Sequence, residues 1–526
     1  MEEFMFNKII LCTLLLFTLT FSNSLYSEVN WSEPSTIFSS KDLENQQIAF
    51  NDAGQGIAVW TKNNLDQFTS DIFYSSCENS KWSKPEVLTS ASSFFGYTVA
   101  INSSGKAIVV WNKMAESGPI PSYCIVEAAL FDGRSWGKIQ KLHNNTFGGE
   151  FISIPKVALS ESNEALVTWI TTTDGENFQL LALTYKDQTW SKPATLTTDI
   201  AAPGDFDIAL NNSGQGIVAW INSANAIDVK MYARSNWSPS SKTISLPNVI
   251  NYAKIIASFA DLSHPGVLWV SQNRDQQPTC EFSWLEDSGN WMTPASLGFF
   301  GGQDIYYRFD LAVNTHGEGL AAWGGGDGLL NVNHFRSANQ PVIATLSTNF
   351  NANSGNVKVS INEKGNGAAI WNEGPDTLKG NICFGTEWLP EPHAFSNTLE
   401  EATMGQITFD QTNKATALWI NAKGVNGEDS LQTASGKENT DGGISYAINL
   451  RAAYCNQNDS IKVEWSPASD PKVKGYALYR NNFLIAQFPV SQTKYIDCHN
   501  KGTIVYRIDV LNQNNQAIAA SHTKLN

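Results

Sequence analysis

Residues Ile48 to Trp60 read IAFNDAGQGIAVW, and the phrase returns as VAINSSGKAIVVW ending at Trp111, IALNNSGQGIVAW ending at Trp220 and LAVNTHGEGLAAW ending at Trp323. Looser copies end at Trp169, Trp269, Trp371 and Trp419, so the eight indoles are separated by 51, 58, 51, 49, 54, 48 and 48 residues. A second phrase, Trp-Ser-x-Pro or a relative of it, falls between them at Trp31, Trp82, Trp136, Trp190, Trp237, Trp291 and Trp388, with a Trp-less version near Pro341. A period of about 50 residues marks a repeat architecture.

One period reads as four strands. The apolar alternation Ile48, Phe50 and Ile57, Val59 has period two, and Asn51 to Gly54 between them suits a type I turn with Asn first and Gly last. IFYSSCEN, Ile72 to Asn79, is the expected third strand and KWSKPEVL the fourth, where Pro85 cannot donate to a ladder and belongs on an outer edge. The residue four before the repeat Trp is small in seven copies (Gly56, Ala107, Ala165, Gly216, Gly319, Gly367, Ala415) and Pro265 in the other, which lets a neighbouring sheet approach closely. Such units stack radially in a β-propeller. The fold expected is therefore all-β, with an eight-bladed propeller, seven blades being the alternative and a β-helix the rival architecture. The last repeat has a third strand near Ser430 to Ser435 but no fourth, so the early strand at Trp31 is expected to complete the final blade.

The flanks differ from the repeats. Ile9 to Phe21 is an apolar run too short to span a bilayer, followed by small residues, and reads as a signal peptide over residues 1–24 cleaved after Ser24. Cys12 follows Leu11 rather than a small residue, which argues against a lipid anchor. The propeller is placed at 28–435 and a polar linker, GKENTDGG, at 436–443. From Ile444 to Asn526 the strands SIKVEW, VKGYALYR, TKYIDC and TIVYRIDV resemble a fibronectin type III domain, which implies a β-sandwich there. The repeats, Val-Ala-x-Asn-x-x-Gly-x-Ala-x-Ala-x-Trp, resemble those of secreted bacterial β-propeller proteins, distantly sialidase-like in shape; the resemblance implies fold and export and little chemistry.

Composition narrows the function. The chain has 526 residues, 42% hydrophobic and 16% charged, with net charge −15 and no basic run that would track phosphates, so nucleic acid is not an expected partner. No other apolar stretch reaches 18 residues, so no transmembrane segment is expected in the mature chain. Cys77, Cys124, Cys280 and Cys383 fall in or beside third strands and read as small buried apolar residues. Cys455 and Cys498, at one pole of the sandwich, are a disulfide candidate. No cofactor motif and no metal spacing is present among the His and Cys residues.

A sialidase-like site needs three Arg gathered on a carboxylate, but the repeats hold only Arg134, Arg234, Arg274, Arg308 and Arg336. Arg134, Arg234 and Arg336 fall near outer turns, leaving Arg308 and Arg274. Two candidate sets remain. Thirteen residues before the repeat Trp stand Gln47, Thr98, Lys156, Asp207, Ile256, Asp310, Lys358 and Gln406, which either ring the mouth of the central channel as ligand groups or pair across blades, Lys156 with Asp207 and Asp310 with Lys358. Crossings between blades carry Phe94, Phe95, Tyr97, Phe151, Phe206, Tyr252, Tyr306 and Tyr307, which either stack on sugar rings or fill interblade gaps. Phe95, Tyr97, Phe206, Asp207, Tyr306, Tyr307, Arg308 and Asp310 are the candidate ligand-binding residues; turn residues such as Asn102, Asn211 and Gly214 are assigned a local role only. No catalytic residue is singled out. The reading is an exported, non-catalytic binding or scaffold protein presenting a propeller face to a carbohydrate or protein ligand, the alternative being a secreted glycosidase or lyase with the sandwich as accessory module, since abundant carboxylates leave room for an acid pair.

Overall fold

The computed structural model describes residues 29–525 except 52, 115–123, 145–152, 173, 175, 202–204, 245–253, 260–264, 272–278, 287–288, 300–308, 315, 325–327, 337–341, 351–355, 375–376, 397–400, 423–427, 439–449, 455–459, 468–472, 481–482, 498–503, 512 and 514–516. The expected leader lies outside these residues. Cys455, Cys498, Tyr306, Tyr307 and Arg308 do so too.

Each repeat folds as one antiparallel sheet. In the first, Leu43–Phe50 pairs with Gly56–Asn64, which pairs with Thr69–Glu78. The Asn51 turn closes as the sequence predicts: the Gly54 N–H donates to the Asn51 carbonyl at 3.0 Å, and Gly54 has φ of +74°. That left-handed conformation is open to glycine without cost and tolerated by asparagine, which explains Asn163 and Asn413 at the same place in the third and eighth repeats.

The Trp-Ser-x-Pro phrase is not one strand, contrary to the single fourth strand expected. It breaks at Pro85 into Lys81–Trp82 and Glu86–Ala91, both paired with the third strand. The serine bridges the break. The Ser83 N–H donates to the Ser76 carbonyl at 2.7 Å while its hydroxyl accepts the Ser76 N–H at 3.0 Å, and Ser191 and Ser238 do the same for Thr184 and Met231. A hydroxyl thus supplies the acceptor that the ladder loses, which is the physical reason for serine after this tryptophan.

Eight such sheets follow one another, with innermost strands Leu43–Phe50, Phe94–Ile101, Lys156–Leu159, Phe206–Leu210, Lys254–Phe259, Phe309–Val313, Val357–Ile361 and Glu401–Phe409. In the eighth, the third strand is Asp429–Glu438, and both Val29–Trp31 and Ser35–Ser40 pair with it. Ser32 repeats the serine bridge, its N–H donating to the Ser435 carbonyl at 2.8 Å and its hydroxyl accepting the Ser435 N–H at 3.1 Å. Trp31 lies across Gly436, where a Cβ would come within 2.6 Å of the indole. The strand continues to Glu438, so the first three residues of the expected linker belong to the ladder.

The core sits between sheets. One apolar cluster joins the first and second sheets through Ile57, Val59, Tyr97 and Trp111, and the next joins the second and third through Val126 and Trp169. The remaining seams follow in turn, ending with Phe38, Trp60, Leu418 and Leu431 between the eighth sheet and the first. Seven of the repeat tryptophans are fully buried and Trp323 nearly so. Truncating one to alanine costs about 3–5 kcal/mol in such a core. The small position before each Trp has two uses: at Gly367 a Cβ would strike Leu320 of the sixth sheet, but at Gly56 it would strike Phe50 of its own sheet.

Beyond the repeats lies a two-sheet sandwich. Arg451–Tyr454, Ile461–Glu464 and Lys494–Asp497 form one sheet, and Phe483–Pro489, Gly475–Arg480, Ile504–Leu511 and Ala517–Leu525 the other. Trp465, Tyr476 and Tyr506 fill the space between them. Asp497 accepts from Arg480 through both oxygens (2.8 and 2.9 Å) and from the Tyr506 hydroxyl at 2.5 Å, fastening one sheet to the other.

Candidate ligand-facing site

Strand direction gives the ring two unlike faces. Each innermost strand begins, and each second strand ends, at the face that carries the crossings between sheets; the Asn-Gly turns lie at the opposite face. The first is called the loop face here and the second the turn face.

An innermost strand is paired on one side only, so its other edge presents N–H groups with no ladder partner. Side chains of the preceding sheet fill that role. Asp205 and Asp207 accept the N–H groups of Ile255 and Ala257 at 2.8 and 2.9 Å, Asp310 accepts that of Val359 at 3.0 Å, and the Ser360 hydroxyl accepts that of Phe409 at 3.0 Å. Lys156 reaches across its seam to Asp207 at 3.2 Å and Asp205 at 3.6 Å, donates to the Phe206 carbonyl, and lies 5.1 Å from the centre of the Phe206 ring. Lys358 meets Asp310 at 3.1 Å. Burial works against the Lys156 ammonium, but the carboxylates of Asp207 and Asp205 outweigh it and raise its pKa.

These contacts locate the candidate residues. Asp207 holds Lys156 of the preceding sheet and the Ala257 N–H of the next, and Asp310 holds Lys358 and the Val359 N–H of the next, the cross-blade pairing that was one of the two readings. Tyr97 is 3% exposed: its hydroxyl donates to the Asn45 carbonyl and accepts from Thr61 at 3.3 Å, so its ring is covered by the first sheet and has no free face for a sugar. Burial pushes its pKa up. Phe206 is 4% exposed and lies beneath Lys156. Phe95 differs from both, standing 46% exposed at the start of its strand.

Three further apolar residues stand exposed on the loop face. Ile154 enters the third sheet beside the second and packs on Gly96, next to Phe95; Leu65 and Phe68 form the tip of the second-to-third-strand turn of the first sheet. None of them is an aromatic of the crossings, the signal that marks the candidate set, although an exposed Leu-Asp-Gln-Phe turn is itself readable in the sequence.

The turn face is built differently. Asn51 caps its own turn, its Oδ1 accepting the N–H groups of Ala53 and Gln55 at 3.1 and 2.9 Å, while its amide donates to the Asn102 carbonyl of the next turn at 2.9 Å. Asn102 donates onward to Ser160 at 3.2 Å, Asn314 to Asn362 at 3.0 Å and Asn362 to Asp410 at 2.9 Å. The turn asparagines therefore join neighbouring sheets as well as shaping their own turns, a role beyond the local one expected. Where the eighth turn meets the first, aspartate lacks the amide, and Lys414 donates to Ser80 at 2.7 Å instead.

Cys77, Cys124 and Cys383 are buried free thiols, and burial raises the Cys77 pKa. Among the described residues no group of three His, Cys, Asp or Glu is placed to hold a metal, and no helix is long and apolar enough to cross a membrane.

No protein-family model matches the chain, and no curated protein is significantly similar to it in sequence. Solved structures similar to it include the BP39L lectin of Burkholderia pseudomallei, 15% identical, covering 69% of this chain and 100% of that one with a TM-score of 0.47. The Aleuria aurantia lectin, described as a six-bladed β-propeller, is 12% identical over 60% of this chain and 99% of its own with a TM-score of 0.33. The NanB sialidase of Streptococcus pneumoniae is 9% identical over 78% and 93% with a TM-score of 0.38. It is the succession of antiparallel sheets that makes the chain a propeller-like all-β protein; at these identities and TM-scores the likeness adds nothing on function.

Proposed function

We propose that the chain is an exported, non-catalytic binding or scaffold protein: an eight-bladed β-propeller over residues 28–435 followed by a fibronectin type III domain over 444–526, offering the loop face to a carbohydrate or protein ligand. One observation carries the reading. Among the described residues, the large apolar side chains exposed at the ends of the repeat sheets, Leu65, Phe68, Phe95 and Ile154, fall on the loop face, whereas Val87 and Ile343 stand exposed within outermost strands. The turn face carries asparagine amides bonded to the backbone carbonyls of neighbouring turns. Apolar groups held at the ends of rigid strands lose little freedom on binding, and a flat aromatic such as Phe95 suits the apolar face of a sugar ring.

A glycan array probed with the mature protein, run beside a screen of chromogenic glycosides, tests it. The expected result is glycan binding that Phe95→Ala abolishes, without turnover of any glycoside. Turnover removed by a single carboxylate substitution would instead establish the enzyme reading.

A further inference from the structure

Glu318 occupies the turn of the sixth sheet, five residues before its Trp. In other described repeats the same position holds Gln55, Lys106, Glu164, Gln215 and Lys414, half-buried or exposed, and Asn366, buried with 9% of its surface left. Glu318 alone of these has no exposed surface. What covers it comes from the sandwich: Arg507 on Ile504–Leu511 donates to Glu318 Oε1 at 3.0 Å. The guanidinium stacks on the Tyr479 ring at 3.9 Å and its Nε lies 3.0 Å from Asp509, leaving Arg507 2% exposed. On the ring side, the Glu318 N–H donates to Asn314 Oδ1 at 3.0 Å, and Asn314 is tied to the seventh turn through Asn362.

We propose that this buried pair latches the sandwich onto the turn face at the sixth sheet. The sandwich is then docked over that face, and the loop face is the surface left for a partner. A buried charge pair is a strong device for fixing register, because separating it leaves each charge without compensation unless water enters. Stacking on Tyr479 and the ion pair with Asp509, to which Arg507 Nη2 donates at 3.4 Å, hold the guanidinium ready before it meets the ring. The proposal concerns attachment and not ligand chemistry, so its test can fail while the binding reading stands, and the reverse.

The test is hydrogen exchange across residues 314–319, with small-angle scattering, on the full chain carrying Glu318→Gln, Arg507→Met, or the exchanged pair Glu318→Arg with Arg507→Glu. Both single variants should keep native circular dichroism, raise exchange of the 314–319 amides by about tenfold or more, and increase the radius of gyration. The exchanged pair should recover part of the protection. If Arg507→Met unfolds the sandwich, Glu318→Gln decides alone, since it alters only the ring side. Unchanged exchange and radius in a folded Glu318→Gln protein would overturn the proposal.

Discussion

The two faces of the ring are made from the same repeat and do different things. At the turn face, polar side chains are spent on the protein itself: asparagine amides run from one turn to the next, as from Asn51 to Asn102 and from Asn362 to Asp410. At the loop face, polar side chains near the strand starts secure the neighbouring sheet's bare edge, while apolar ones such as Phe95 and Ile154 stand in solvent. The difference teaches that a residue's place in the period does not settle its role; what it touches across the seam does. Asp310 and Phe95 were both candidates for ligand contact, and one holds the fold while the other faces water.

The sharpest way to break that division is Asp310→Ala. It removes the acceptor of the Val359 N–H and the partner of Lys358, so the protein should lose about 1–3 kcal/mol in urea unfolding while any ligand binding by the remaining fold is retained. Next comes Asn362→Ala, which strands the N–H groups of Lys364 and Asn366 and cuts the relay to Asp410; about 1–2 kcal/mol of stability should go, again without a binding effect. Phe95→Ala should fall within about 0.5 kcal/mol of wild type in the same unfolding assay, because its ring is half in solvent already.

The smallest effect concerns the closing strand. His393 stacks on Trp31 at 5.3 Å, and burial depresses its pKa below the ordinary 6.5 against the opposing pull of Glu33. The unfolded chain therefore takes up a proton at higher pH than the folded one, so this group's contribution is intact above pH 6.5 and is lost as pH falls from there through the folded pKa. His393→Gln should flatten the decline in melting temperature over that window. A decline of the same slope in the variant would place the pH response elsewhere.

Much of the fold was legible because it repeats. Eight indoles at a nearly constant spacing announced equivalent buried positions, and the missing fourth strand after Ser435 pointed to Trp31, which pairs with Gly436. The break at Pro85 was not legible as a break, because the serine hydroxyl that bridges it acts only in three dimensions. Which aromatics stay exposed was not legible. Tyr97 and Phe206 sit in the same crossings as Phe95, and sequence alone does not tell which aromatic a neighbouring sheet will cover: Tyr97 is drawn inward by the Asn45 carbonyl and Phe206 by Lys156. Arg507 carries no motif. Its partner lies 189 residues away, and the hint was an Arg-Ile-Asp charge pair within a strand of apolar residues.

The division of labour between faces is tested most directly by measuring glycan-array binding and melting temperature together for Phe95→Ala and Asn362→Ala. The account predicts opposite losses, with binding gone and melting unchanged in Phe95→Ala, and melting lowered with binding kept in Asn362→Ala. Binding that survives Phe95→Ala but disappears in a folded Asn362→Ala protein would contradict it.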